Sequence, residues 1–267
     1  MSSESVSSIG SGEQLVGLLR VGKMEARAEH QSYKRYKSLY TFTSLVGCSL
    51  IVLIVVWCVE FRGGFAWKSN PKLQFNWHPL MMTIGLIFMF SQAMLIYRTG
   101  RGVTKRSLKI LHGFIHLGAF VCSVFGLVAV FDFHNNSVPP KANLYTLHSW
   151  LGLICVIMFT LQLVGGFVTF MYPGLSREIR KISLPVHVAV GISLFVLSVC
   201  TAFMGLQEKA IFAIDDYASF SSESLLVNFT GLILALYATL VLYLVNNTEF
   251  KRTALPEEEL ALSGHTE

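Results

Sequence analysis

The sequence has few charged residues, and this excludes an ordinary soluble domain. Only 14% of its 267 residues are Asp, Glu, Lys or Arg, whereas 53% are hydrophobic. A soluble domain of average composition has about 25% charged residues. The composition therefore predicts a protein that lies in a lipid bilayer.

Cysteine motifs and nucleotide-binding motifs are also missing. The five cysteines show no paired spacing, so a disulfide framework is not predicted. No Cys-x-x-Cys-His sequence is present, which excludes covalent attachment of a c-type haem. No Gly-x-Gly-x-x-Gly or P-loop sequence supports a nicotinamide, flavin or nucleotide partner. The net charge of +5 follows mainly from membrane orientation and gives no sign of nucleic-acid binding.

The sequence does contain six long apolar segments. A helix needs about 20 residues to cross a hydrocarbon core about 30 Å thick. The predicted spans are 40–59, 80–97, 111–131, 149–171, 184–206 and 225–245. We therefore expect an all-α membrane protein whose six transmembrane helices occupy residues 39–246. Residues 1–38 are expected to form a polar tail that is mobile in large part, and residues 247–267 a second tail.

The distribution of Lys and Arg predicts the orientation, because positive residues concentrate on the cytoplasmic side of membrane proteins. Sixteen of the 21 Lys and Arg residues lie in the two tails or in the loops after the second and fourth spans. Both termini are therefore expected in the cytoplasm, and the other three loops in the lumen or outside. One of those loops contains the glycosylation pattern Asn135-Asn136-Ser137, which agrees with this assignment.

Four histidines at the ends of the spans are predicted to form two pairs at two depths. His78 opens the second span and His148 the fourth, and both spans run inward, so these two rings are expected near the lumen. His112 opens the third span and His187 the fifth, and both run outward, so these rings are expected near the cytoplasm. The two levels should be separated by roughly 20 Å.

A pair of imidazoles from facing helices suits the axial positions of a haem iron better than zinc, which prefers four ligands. For each histidine taken singly, a structural hydrogen bond is the alternative. His116, one turn deeper than His112, is expected to be a packing or neighbouring residue rather than a ligand. Four glycines near these levels provide either room for a macrocycle or ordinary close packing of helices: Gly85, Gly113, Gly152 and Gly191.

Seven segments carry a resemblance to the cytochrome b561 family of ascorbate-dependent transmembrane oxidoreductases. They are FRGGFAW at 61–67, LQFNWHP at 73–79, LIYR at 95–98, KILHGFIH at 109–116, VAVFDFHN at 128–135, LYTLHSWLG at 144–152 and LPVH at 184–187. The resemblance covers residues 40–252. It implies that spans two to five form a four-helix core holding two b-type haems, with the first and sixth spans outside it. It also implies that His78 and His148 bind the luminal haem, and His112 and His187 the cytoplasmic haem.

The resemblance also indicates where electrons enter and leave. The expected contacts of cytoplasmic ascorbate are four basic residues at the ends of the ligand helices: Arg98, Lys105, Lys109 and Arg180. The alternative is that these residues serve only as topology signals and partners of haem propionates. On the luminal side, His134 and Asn143 are expected to contact the acceptor, which is monodehydroascorbate or a ferric chelate. The alternative for His134 is a solvated loop residue.

These features predict one-electron transfer from cytoplasmic ascorbate through two b-type haems to a luminal or extracellular acceptor. Such a protein is a monodehydroascorbate reductase or a ferric reductase. A metal or proton transporter and a scaffold without redox activity are the alternatives. A transporter predicts carboxylates within the spans, whereas Asp132 and Glu208 lie only at luminal ends. Secretory-vesicle, lysosomal and plasma membranes all stay open as locations, and so does a homodimer.

Overall fold

The fold was examined in a computed structural model that describes residues 4–255, with side chains from residue 15 onward. Throughout this range the regular elements are helices, and six of them are long and apolar enough to cross a membrane. They run over Leu15–Phe61, Pro71–Thr99, Lys105–Asn136, Leu147–Phe170, Arg177–Ala213 and Ser222–Asn246. The prediction of an all-α protein with six spans is therefore confirmed.

Two of the spans contain a π-helical turn. The first is α1 (Glu4–Val56), which continues into the π-helical turn Trp57–Phe61. The second span comprises α2 (Pro71–Gln74), α3 (Trp77–Met82), the π-helical turn Thr83–Met89 and α4 (Phe90–Thr99). The remaining spans are the single helices α5 (Lys105–Asn136), α6 (Leu147–Phe170), α7 (Arg177–Ala213) and α8 (Ser222–Asn246). Short 3₁₀ turns lie at Tyr217–Ser219 and Thr248–Phe250.

Hydroxyl side chains begin four of the spans. In each case the side-chain oxygen accepts a hydrogen bond from the backbone N–H three residues later; the four residues are Thr104, Thr146, Ser176 and Ser221. The first N–H groups of a helix have no partner within it, and lipid offers none. Each cap therefore satisfies one of these donors at the start of its helix.

The first helix is much longer than a membrane crossing needs. Its 53 residues amount to about 80 Å at 1.5 Å per residue, so it includes most of the segment 1–38, for which the sequence predicted no secondary structure. The start of the carboxyl tail packs against it, because Ser32 Oγ donates to the Glu249 carbonyl (2.7 Å) and Arg35 pairs with the Glu249 carboxylate. We call this end of the bundle the terminal face and the other end the opposite face. Residues 256–267 lie outside the described range.

Neighbouring spans pack in antiparallel fashion around a shared apolar core. The second span packs on the third, the fourth on the fifth, and the first on the sixth. Side chains from all six spans meet in this core, and examples that are almost fully buried are Leu50, Phe90, Phe159, Phe195 and Tyr237. Because the spans are antiparallel, a residue near the start of one helix lies level with a residue near the end of its neighbour. This arrangement sets the depths of the four histidines.

Candidate functional site

His78 and His148 face each other near the opposite face, and we call them the His78–His148 pair. Their ring centroids are 6.1 Å apart. Nδ1 of His78 lies 3.1 Å from the Gly126 carbonyl oxygen on α5, and Nδ1 of His148 lies 2.9 Å from the Thr201 carbonyl oxygen on α7. A carbonyl can only accept, so both Nδ1 atoms carry the proton. Each Nε2 therefore keeps its lone pair for a metal.

His112 and His187 form the second pair, near the terminal face. Their ring centroids are 6.2 Å apart. Nδ1 of His112 lies 2.8 Å from the Ala93 carbonyl oxygen on α4, so this ring is also protonated at Nδ1 and free at Nε2. The backbone carbonyl of His187 accepts a hydrogen bond of 2.6 Å from Gln162 Nε2 on α6. In both pairs the two rings come from different antiparallel helix pairs.

The spacing in both pairs fits two axial ligands of one metal. A metal–nitrogen bond to histidine is about 2 Å long and the ring centre lies about 1 Å beyond the nitrogen, so two such rings have centroids about 6 Å apart. The distances of 6.1 Å and 6.2 Å agree with this value. In residues 15–255 no group of three or more His, Cys, Asp or Glu side chains is gathered as metal ligands. The donor set is thus two imidazoles at each level, as a six-coordinate haem requires.

The surroundings of the His78–His148 pair also fit a flat apolar group. A cavity of about 260 Å³ opens beside the two rings. Apolar side chains from several spans line much of it, and examples are Met82, Leu86, Leu127, Val130 and Leu153. The room that a macrocycle needs is therefore present at this level.

Two glycines allow the histidine rings to take these positions. A Cβ atom on Gly205 would lie 2.6 Å from Cε1 of His148, and a Cβ atom on Gly166 would lie 3.1 Å from Cε1 of His187. The sequence did not single out Gly205. Of the four glycines that it did single out, Gly85 serves close helix packing, because a Cβ atom there would lie 2.8 Å from the Ala119 carbonyl oxygen.

The distance between the levels of the two pairs follows from the positions of their carbonyl partners along α5 and α7. His112 and Gly126 are 14 residues apart on α5, about 21 Å at 1.5 Å per residue, and Gly126 contacts the ring of His78. On α7, His187 and Thr201 are also 14 residues apart, and Thr201 contacts the ring of His148. Two independent helices therefore place the pairs at levels about 21 Å apart, close to the roughly 20 Å expected from the sequence.

Aromatic side chains fill the space next to His112 on the side that faces the His78–His148 pair. The ring of His116 lies 4.5 Å from that of His112, 5.2 Å from Phe90 and 5.5 Å from Phe159, measured between centroids. Phe90 also contacts Phe159 and Phe195. Nδ1 of His116 is buried, and the described part of the chain offers it no hydrogen-bond partner. His116 thus packs within an apolar aromatic cluster.

The four predicted ascorbate contacts lie at the terminal face but do not share one environment. Lys105 and Lys109 lie four residues apart on one side of α5, and Arg180, near the start of α7, is close enough to Lys109 to repel it. Arg98 is turned to the end of α8, where its guanidinium donates to the Asn247 carbonyl (2.6 Å) and to the Val245 carbonyl. Three of the four basic groups therefore form a cluster, while Arg98 holds the end of the sixth span.

His134 and Asn143 come together at the opposite face. Nδ1 of His134 lies 3.1 Å from Oδ1 of Asn143, and Nδ2 of Asn143 donates to Oδ1 of Asn135 (2.8 Å). Both residues line the cavity beside the His78–His148 pair. Two further residues of the lining, Lys141 and Lys209, were not identified as site residues from the sequence. The only signal for them was their place among the few basic residues on that side.

Two imidazole pairs at two depths of a six-span helical bundle are the arrangement expected of a membrane protein that holds haem between histidines. The family to which the chain belongs is the eukaryotic cytochrome b561 family, whose sequence model matches residues 77–213. Membership implies a b-type haem.

Similar proteins cover most of this chain. It is 44% identical over 223 residues to the transmembrane ascorbate-dependent reductase CYB561 of Ovis aries, covering 83% of this chain and 86% of the relative. The identity to the protein of that name from Homo sapiens is 42% over 219 residues, with coverage of 82% and 86%. A protein of Oryza sativa subsp. japonica, described as probable ascorbate-specific transmembrane electron transporter 2, is 41% identical over 195 residues, with coverage of 71% and 80%.

Proposed function

We propose that this protein transfers electrons across a membrane from cytoplasmic ascorbate, through two b-type haems, to a luminal or extracellular acceptor. The observation that carries the proposal is the presence of two imidazole pairs, with centroid distances of 6.1 Å and 6.2 Å, at two depths of one helical bundle. Family membership and relatives named as ascorbate-dependent reductases support ascorbate as the donor.

His78 and His148 would hold one haem, and His112 and His187 the other. A b-type haem supplies a site that accepts and returns one electron at a time. The hydrogen bonds from Nδ1 of His78, His112 and His148 to backbone carbonyls hold these rings in one tautomer and one orientation. Because the partners are backbone atoms of neighbouring helices, the orientation of each ring depends on helix packing.

The residues between the two histidine levels favour an electron carrier over an ion transporter. Phe90, Phe159 and Phe195 are almost fully buried, and His116 is packed among them without a hydrogen-bond partner in the described chain. Between the two histidine levels the described spans contain no Asp, Glu, Lys or Arg side chain that could pass a proton or metal ion along. This apolar region supports the electron carrier over the transporter alternative.

Ascorbate would bind at the terminal face. Lys105, Lys109 and Arg180 bring several positive charges to the ends of the helices that hold His112 and His187. Ascorbate has one negative charge, which such a cluster attracts. Arg98 contributes its charge, but its hydrogen bonds to α8 leave it mainly a structural role.

The acceptor, monodehydroascorbate or a ferric chelate, would bind at the opposite face beside His134 and Asn143. These two side chains are hydrogen-bonded to each other and line the cavity that reaches the His78–His148 pair. His134 could donate to a bound oxygen or handle a proton there. The charge distribution supports this direction, because sixteen of the 21 Lys and Arg residues belong to the tails and the loops on the terminal face, which we assign to the cytoplasm.

Purified full-length protein in liposomes loaded with ascorbate tests the proposal. We expect a bis-imidazole haem spectrum with two haems per chain, and reduction of external ferric chelate or monodehydroascorbate only when ascorbate is inside. A colourless protein that carries protons or metal ions would favour the transporter, and a colourless protein that carries neither would favour a scaffold. A single haem per chain would contradict the proposed relay.

A further inference from the structure

Two lysines border the mouth of the cavity beside the His78–His148 pair. Lys141, on the exposed loop between α5 and α6, has its Nζ 4.6 Å from the ring centroid of Phe133. Lys209, on α7, has its Nζ 4.0 Å from the ring centroid of Phe75. Both distances are within the range of cation–π contacts, which hold an ammonium group in place without neutralising it.

Among residues 15–255 neither lysine forms an ion pair with a carboxylate. In the described range the ion pairs are Arg35–Glu249 and Arg62–Glu223, and Lys141 and Lys209 take part in neither. Asp132, at the same end of the bundle, accepts a hydrogen bond from Gln74 Nε2 (3.0 Å). Glu208 is the carboxylate residue that lines the cavity together with the two lysines. The cavity lining therefore has two ammonium groups and one carboxylate.

The two lysines lie at successive depths toward the histidine pair. Lys141 is exposed on the loop that also contains Asn143, the partner of His134. Lys209 is half-buried against Phe75, whose ring centroid lies 6.0 Å from that of His78. An anion that enters past Lys141 would meet Lys209 next to the histidine pair. A cation would be repelled by both.

We propose that Lys141 and Lys209 form an anion-selecting mouth, so that the acceptor on this side is negatively charged. The acceptor would be a small organic anion or a ferric chelate of net negative charge, and not a hydrated ferric ion. This inference rests on the proposed function and narrows its acceptor class by charge. Lys141 attracts the acceptor to the mouth of the cavity, and Lys209 binds it at the inner end of the cavity.

The test compares Lys141→Gln, Lys209→Gln and the double variant with wild-type protein in liposomes loaded with ascorbate. The external acceptors are ferricyanide and ferric citrate, which are anionic, and tris(phenanthroline)cobalt(III), which is cationic. Lys72→Gln is the matched control, because Lys72 is also exposed on this side but does not line the cavity. The visible spectrum and haem content of each variant verify that both haems are retained.

We expect each cavity lysine change to raise KM for ferricyanide and lower it for the cobalt complex, with kcat changing less. For a trivalent ion about 8 Å from one ammonium, Coulomb attraction with screening gives an effect of about threefold at 0.15 M salt and about tenfold at low salt. Equal effects on anionic and cationic acceptors would overturn the inference, and so would an equal effect of Lys72→Gln. If wild-type protein reduced none of the three acceptors, the proposed function itself would fail.

Discussion

Replacing Gly205 with alanine should displace the ring of His148 and weaken only the haem at that level. The added Cβ atom would lie 2.6 Å from Cε1 and 3.1 Å from Nδ1 of His148. Carbon atoms in contact are normally about 3.5–4.0 Å apart, so the ring must move by about 1 Å. Overpacking of this kind costs about 1–3 kcal/mol. If this whole free energy is lost from haem binding, the haem at this level binds about 5- to 150-fold more weakly.

The Gly205→Ala change should not destabilise the helix α7 itself. Alanine favours a helix over glycine by about 1 kcal/mol, which opposes any loss of folding stability. Gly165→Ala is the matched control, because it adds the same methyl group to a membrane helix at a place with no atom within 4 Å. Gly166→Ala, one residue further on, would approach Cε1 of His187 to 3.1 Å and should affect the other haem more mildly.

Absorption and electron paramagnetic resonance spectra of the purified variants measure the effect. Gly205→Ala should show loss of about one haem per chain, or conversion of one haem to a high-spin form, with the other signal unchanged. Thermal unfolding followed by circular dichroism checks that the fold persists. The reasoning would be refuted if Gly205→Ala kept both low-spin signals intact, or if Gly165→Ala lost the same haem.

Three further predictions follow from the packing and the charges. Replacing His78 or His148 with alanine should remove one haem selectively, and retention of both haems in optical and redox titrations would contradict the pairing. Lys105→Gln and Arg180→Gln should each raise KM for ascorbate about threefold at physiological salt and more at low salt, because salt screens the attraction between charges only in part. Lys23→Gln, far out on α1, serves as the control. Glu223→Gln should destabilise the fold by about 2 kcal/mol, since Arg62 loses the negative charge beside it in a poorly exposed pair. Thermal unfolding measures this loss, and Arg62→Met combined with Glu223→Gln should recover part of it.

The spans and their approximate depths could be predicted because a bilayer has a nearly fixed thickness and a helix a fixed rise. For this reason His78, His112, His148 and His187 could be placed at two levels before their neighbours were known. Their assignment as haem ligands stays a prediction, although the pair distances fit it. The orientation also stays a prediction, because it depends on charge counts alone. The helical start of the amino-terminal tail could not be predicted, because its polar composition favours no packed structure by itself.

The sequence alone determined which segments cross the membrane and at what depth each histidine lies, because position along a helix follows from residue number. Only the tertiary structure decided which faces of the helices meet, since rotation about an axis depends on packing and changes at a π-helical turn such as Thr83–Met89. For this reason the carbonyl partner of His78, the contact of Gly205 with His148 and the position of Lys209 over Phe75 became visible only in the folded molecule. Each of them joins residues that lie far apart in the chain or on different helices.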